Sequence, residues 1–250
     1  MINQQSGHDN YIVIDQGNTL IKVILFYDNE IRWLKVFKQI GIADRDKIRQ
    51  EFDNVQYGII SSVASEPEVI TALFPEIKWI ILSHETPVPV INQYKTPATL
   101  GKDRLAAVVA ASDLYQGKDI LVIDTGTAIT YDLVTKDKKY SGGSISPGLS
   151  LRFKALNAFT GRLPLLEASE FNGLTGVDTN ESILSGVMNG ALFEITGFIN
   201  NYKENYPELI IILTGGDSDY FDKNVKSDIF VVPNLVAYGL KLILQYNLEK

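Results

Sequence analysis

The 250-residue chain contains no cysteine and only two histidines, His8 and His84. The first absence excludes a disulfide framework, a thiol nucleophile, thiolate zinc sites and iron–sulfur ligation; the second leaves little room for an imidazole-built metal site. Basic residues are also in short supply, with 23 Lys and Arg against 30 Asp and Glu for a net charge of -7. That balance, at a pI near 4.9, speaks against sequence-independent attraction to nucleic acid or to an anionic membrane. Nowhere do about 18 apolar residues run uninterrupted, the length a spanning helix needs. The first ten residues lack both a basic stretch and an apolar stretch of the kind that directs secretion, so the reading is a cytoplasmic protein. What is present is ordinary for a folded chain: 45% hydrophobic residues, a mean hydropathy of +0.03, and enough length for one large domain or two smaller ones.

Hydrophobic patterning divides the chain into two rounds of similar order. Tyr11 to Ile14, Ile21 to Phe26 and Ile31 to Phe37 read as three strands joined by short turns, a β-meander. A charged helix follows from Ala43 to Phe52, then the apolar run Tyr57 to Ile60. Ser65-Glu-Pro-Glu68 reads as a capping box opening a short helix to Phe74, before a strand from Trp79 to Leu82. Residues 84–97 hold Pro87, Pro89 and Pro97 and are predicted to be extended. Leu105, Val108, Val109 and Leu114 then recur at helical spacing. Ile120 to Ile123 restarts the meander, with strands from Ile129 to Val134 and Tyr140 to Ile145. Ile183 to Ile199 fits a long amphipathic helix. Leu209 to Leu213 and Ile229 to Val232 read as strands, and a last helix starts at Leu235. The pattern predicts a duplicated α/β protein with domains at 1–116 and 117–250.

Each half opens with the same kind of turn, Asp15-Gln-Gly-Asn-Thr19 in one and Asp124-Thr-Gly-Thr127 in the other. Either turn alone is what a plain hairpin needs, because Asp, Asn and Gly suit tight turns for conformational reasons. Two copies in matching positions favour a phosphate-binding hairpin, in which glycine admits the anion close to the backbone while N–H groups and the Thr hydroxyl donate to it. A third glycine turn, Thr214-Gly-Gly216, follows a buried strand and would let a nucleobase or ribose lie against the backbone. This order of turns resembles the actin-like ATPase superfamily of sugar kinases, acetate kinases, heat-shock ATPases and actin. The resemblance implies two ribonuclease-H-like domains with ATP in the cleft. Walker A, dinucleotide-binding and G-x-S-x-G signatures are all absent.

One more stretch carries chemistry. Tyr94-Lys-Thr-Pro-Ala-Thr-Leu-Gly-Lys-Asp-Arg104 leads into a helix, and Asp103 with Arg104 in its first turn could be a solvated face beside the macrodipole. They would equally suit a substrate carrying a hydroxyl and a carboxylate, the Asp taking the hydroxyl proton and the Arg clamping the anion. Five motifs now stand in order: Asp15 to Lys22, Thr96 to Arg104, Asp124 to Thr130, Gly142 to Leu149 and Thr214 to Gly216. Together they resemble type III pantothenate kinases.

The resemblance implies ATP-dependent phosphorylation of pantothenate, the first step of coenzyme A biosynthesis, with Mg²⁺ and a monovalent cation (K⁺ or NH₄⁺) as cofactors. It implies that Asp15, Gln16, Gly17, Asn18, Thr19 and Lys22 cradle the ATP phosphates, that Thr127 reaches ATP, and that Gly215 and Gly216 lie at the nucleotide. Asp103 is implied as the catalytic base, and Asp124 as the holder of the monovalent cation. Tyr94, Gly101, Lys102, Asp103 and Arg104 are implied to line the pantothenate site, joined by Thr179 across a homodimer whose interface uses the helix from Asn180 to Tyr202. Met188, Phe193 and Phe198 on that helix read as core or interface packing. The rival readings are another actin-like phosphotransferase and a non-catalytic relative, either a filament former or a regulator.

Overall fold

The computed structural model describes residues 10–17, 20–52, 54–63 and 66–250. In chain order, the first elements are β1 (Tyr11–Gln16), β2 (Ile21–Tyr27), β3 (Glu30–Phe37), α1 (Ile42–Gln50), β4 (Tyr57–Ser62), α2 (Pro67–Thr71) and β5 (Lys78–Ile81). Next come β6 (Ile91–Asn92), α3 (Lys102–Leu114), β7 (Ile120–Thr125), β8 (Ala128–Val134), β9 (Lys139–Pro147) and α4 (Leu149–Phe159). The chain closes with α5 (Thr179–Asn205), β10 (Ile210–Thr214), α6 (Ser218–Asn224), β11 (Phe230–Val231) and α7 (Leu235–Leu248).

Two sheets repeat one plan. The first has the order β3-β2-β1-β4-β5, and the second has β11-β10-β7-β8-β9-β6, which contains the same order read from β9 to β11. In each, three antiparallel strands continue into parallel ones at the first strand of the round. The central strands β1 and β7 are unbroken apolar runs, Tyr11–Ile14 and Ile120–Ile123, because both of their faces are covered. β3 is an edge strand with one face half-covered, Ile31 and Trp33 being half-buried while Leu34 and Val36 are exposed. Asp28 and Asn29, both at positive φ (50° and 73°), make the two-residue turn between β2 and β3.

The chain divides into two compact units: residues 1–89, 94–110 and 235–250 form one, and residues 90–93 and 111–234 the other. This differs from a cut near residue 116, because α7 lies in the first unit and not in the second half of the sequence. The reason is burial. Leu235, Leu240, Ile243 and Leu244 of α7 are fully buried, the helix packs on β1 and β4, and Gly239 sits so close to α3 that a Cβ there would lie 1.8 Å from the Ala106 carbonyl oxygen. Lys241 of α7 donates to Asn29 Oδ1 at the β2–β3 turn.

Ser65 lies outside the described residues; α2 starts behind Glu66, with Pro67 in its first turn and no side-chain cap. α2 also stops at Thr71, short of Phe74, as tight i→i+3 turns swing Phe74 into the core against Phe52 and Trp79. The proline-rich stretch is extended as predicted at β6, which pairs with β9.

In the second unit α5 is 27 residues long and reaches a mean hydropathy of 1.3 over 18 residues, enough by length and composition to cross a membrane. Its apolar positions instead follow one face: Ile183, Val187, Met188, Ala191, Ile195 and Ile199 are buried in a core shared with β7, β8, β10 and α4. Phe198 stacks on Tyr131 of β8, while Phe193 is exposed.

Candidate active site

Within the first unit, β1 and β4 run parallel with Asp15 beside Ser61 and Gln16 beside Ser62. Both strands end there, and in open α/β sheets the carboxyl ends of parallel strands are where ligands bind. Gly17 N–H donates to the Leu20 carbonyl at 3.0 Å, closing the hairpin into β2; Asn18 and Thr19 lie outside the described residues. Across the hairpin, Lys22 of β2 pairs with Asp15 and is exposed. Burial pushes the Asp15 carboxyl up to about 6, against the pull of Lys22 and with a further push from the charge of Asp103.

Asp103 reaches this cluster from the first turn of α3. It is exposed, and its Oδ1 accepts from the Arg104 amide at 2.8 Å. A Cβ at Gly101 would lie 2.5 Å from that same oxygen, so glycine is what leaves room for the carboxylate. Lys102 donates from Nζ to the Ser62 carbonyl at 2.9 Å, and Ser62 Oγ donates to Gln16 Oε1 at 2.8 Å. The α3 start is thereby tied to the first hairpin. Arg104 is not on a solvated face: it is 6% exposed, with its guanidinium 5.8 Å from the ring centroid of half-buried Tyr94.

The first unit thus brings together Asp15, Gln16, Gly17, Lys22, Gly101, Lys102 and Asp103, with Arg104 and Tyr94 alongside. Ser61 and Ser62 were not singled out from the sequence. A pair of hydroxyls closing an apolar strand, Gly58-Ile-Ile-Ser-Ser62, is the signal that could have found them.

Within the second unit, Asp124 at the end of β7 lies beside Thr214 of parallel β10 and opposite Thr130 of β8. Gly215 follows at φ +99°, and a Cβ there would lie 2.5 Å from both Asp124 Oδ1 and Thr125 N. This is a position only glycine fills without displacing the carboxylate. A Cβ at Gly216 would meet nothing within 4 Å. Thr125 Oγ1 donates to the Thr214 carbonyl at 2.8 Å, and Asp217 N–H donates to the Thr125 carbonyl at 3.0 Å, so the two turns are bonded into one platform. Thr127 is exposed at its rim. A cavity of about 420 Å³ beside it is lined by Leu149, Phe171, Asn172, Asp217 and Tyr220 among others, and burial raises the Asp217 carboxyl.

Thr179 opens α5, exposed beside the cap formed by Asp178, whose Oδ1 accepts from Glu181 N at 2.9 Å. It lines a broad groove of about 1120 Å³ between α4 and α5. Among the described residues no cluster of three His, Asp or Glu could hold a metal ion.

The family model for type III pantothenate kinase matches residues 11–201. A type III pantothenate kinase from Phocaeicola vulgatus is 45% identical over 239 residues, covering 94% of this chain and 98% of the relative. Among solved structures, a chain from Campylobacter jejuni described as a Baf family transcriptional activator superposes with a TM-score of 0.61 at 20% identity, over 96% of this chain and all of that one. The acetate kinase of Porphyromonas gingivalis superposes with a TM-score of 0.53 at 11% identity, again over 96% of this chain and all of that one. At such identities these two likenesses show the fold alone, an α/β fold shared with both.

Proposed function

This chain belongs to the type III pantothenate kinase family and phosphorylates pantothenate with ATP, and from that premise we propose which residues do the work. The observation that carries the assignment is the convergence of Asp15, Lys22, Lys102 and Asp103 at the carboxyl ends of β1 and β4. Phosphoryl transfer asks a protein chiefly for positioning and charge stabilisation. Lys22 and the N–H groups of the first hairpin, with Gln16, Gly17, Asn18 and Thr19, supply that charge to the ATP phosphates, and Asp15 would be the carboxylate available to the Mg²⁺ of the nucleotide. Asp103 accepts the proton of the pantothenate hydroxyl as its oxygen bonds to the γ-phosphorus and the bond to ADP breaks. Arg104 clamps the pantothenate carboxylate, with Tyr94, Gly101 and Lys102 lining the site.

In the second unit Thr127 reaches the phosphates, and the turn at Gly215 and Gly216 leads the nucleotide into the cavity beside Tyr220. Asp124 would hold the monovalent cation. The Asp124 carboxylate is a hard oxygen donor of the kind that suits K⁺ or NH₄⁺, and the residue opposite it in the strand register is Thr130 rather than a lysine. Bound there, such a cation would supply positive potential toward the phosphates.

We assign a homodimer to the α4–α5 face, where Leu151, Phe159 and Val177 are exposed side chains of 42%, 89% and 86%. An apolar surface of this kind suits burial against a second copy, and Thr179 stands in the same groove. The reading is of a cytoplasmic enzyme with no nucleic-acid or membrane partner. ADP release with Mg-ATP and pantothenate tests the reaction, and light scattering after gel filtration tests the dimer.

A further inference from the structure

Three elements of the second unit converge on a carboxylate of a fourth that the proposed mechanism does not use. Glu194, in the middle of α5, accepts at Oε1 from Tyr131 Oη of β8 at 2.8 Å and from Ser146 Oγ of β9. Its Oε2 accepts from Arg152 Nη2 of α4 at 2.6 Å. The ion pair is largely shielded, with the two side chains 21% and 26% exposed. Burial works against the charge of Glu194, but the hydrogen bonds from Ser146, Arg152 and Tyr131 outweigh it and hold the carboxyl below its usual range. Burial and the Glu194 acceptor together push the Tyr131 phenol up, so it stays a donor.

The guanidinium has a second task. Arg152 Nε donates to the Pro147 carbonyl at 2.8 Å. That oxygen belongs to the Pro147–Gly148 peptide, whose N–H donates to the Thr127 carbonyl at 3.0 Å. The peptide also presses directly on the turn: a Cβ at Gly148 would lie 2.2 Å from the Gly126 carbonyl oxygen and 2.7 Å from that of Thr127. One rigid peptide plane is therefore gripped at its oxygen by Arg152 and holds the Asp124–Thr127 turn with its nitrogen.

The geometry points to Arg152 and Glu194 as positioning residues for the phosphate turn: the pair orients the Pro147–Gly148 peptide, and that peptide fixes the backbone from which Thr127 meets ATP. The inference rests on the reading that this turn binds ATP. Neither side chain touches the nucleotide in this account; both act through a peptide. A planar guanidinium can grip the carbonyl and the carboxylate together, whereas an ammonium in its place gives up that fork.

The test compares wild type with Arg152→Lys and Glu194→Gln, both close in size to the original. Binding of a fluorescent ATP analogue is measured without turnover, alongside steady-state KM values for Mg-ATP and pantothenate and the melting temperature. The expected result is nucleotide binding and KM for Mg-ATP weakened on the order of tenfold, the usual scale for losing a residue that orients a binding group. The KM for pantothenate is expected to stay within about twofold. A fall in kcat and melting temperature with nucleotide binding unchanged, the mark of a purely structural ion pair, would overturn the inference, as would full nucleotide affinity in both variants. Wild type that binds the analogue but releases no ADP with pantothenate would instead overturn the pantothenate assignment, and the binding comparison would still decide the role of the pair. Wild type that binds no nucleotide would overturn both.

Discussion

The two sheets open on the same hairpin, yet different side chains stand across from its aspartate. In the first unit Asp15 faces Lys22; in the second, Asp124 faces Thr130. The backbone plan is retained, with an apolar central strand, an Asp-x-Gly turn and a parallel neighbour ending beside it. The charge is not. The first hairpin carries its own cation, which restrains a carboxyl that burial still pushes up to about 6. The second has a hydroxyl at the equivalent place, and on the proposed reading it takes its cation from solution. Duplicated scaffolds conserve what packing demands and diverge where a side chain faces the ligand.

The sharpest way to break the comparison lies in the first unit. Asp103→Asn should lower kcat by about 10²- to 10⁴-fold, the usual worth of general-base help, with nucleotide binding and fold retained. Near-normal turnover in a rapid ADP assay would remove Asp103 from its role. Lys22→Met should lower kcat/KM for Mg-ATP on the order of 10²-fold by deleting a donor aimed at developing charge.

The pH dependence belongs to the same hairpin. With Asp15 at about 6, kcat/KM for Mg-ATP should fall as pH drops through that value, and in Lys22→Met the limb should move to higher pH because the lowering partner is gone. The stability effect has the opposite sense. A carboxyl raised on folding favours the folded state only while protonated, so its contribution is full below about 4 and lost as pH rises through about 6. Asp15→Asn should thus be more stable than wild type at pH 8, on the order of 1–2 kcal/mol, with the difference vanishing at low pH. A melting-temperature series across pH checks it.

Smaller effects sharpen the second hairpin. Gly215→Ala should cost about 1–3 kcal/mol, since φ is +99° and the new methyl meets Asp124 and Thr125, whereas Gly216→Ala, with open space around it, should change stability by less than about 0.5 kcal/mol. Thr130→Lys would place in the second unit the lysine that the first already has, and the smallest expected effect is a modest weakening of potassium dependence.

Most of this was legible from local sequence. Both hairpins, the Gly-Gly turn and the long helix follow from apolar runs punctuated by Asp, Gly and Thr, and those signals act within a few residues. What was missed is non-local. No local pattern says that α7 covers β1 and β4, because that depends on which sheet face lacks a partner. α4 was overlooked between a glycine-rich strand and the irregular stretch at 160–178. Spacing alone left Arg104 open between a solvated face and an anion clamp, because its burial against Tyr94 is set by tertiary packing. Ser62 earned no notice because its role, joining Gln16 and Lys102, exists only once β4 lies beside β1.

The most direct test of the contrast between the hairpins is ADP release by the wild-type protein with Mg-ATP and pantothenate, in potassium chloride and then in tetramethylammonium chloride at equal ionic strength. The account predicts turnover that requires both pantothenate and potassium. Pantothenate-dependent turnover that is the same in either salt would contradict it, because the second hairpin would then have no need of a cation from solution.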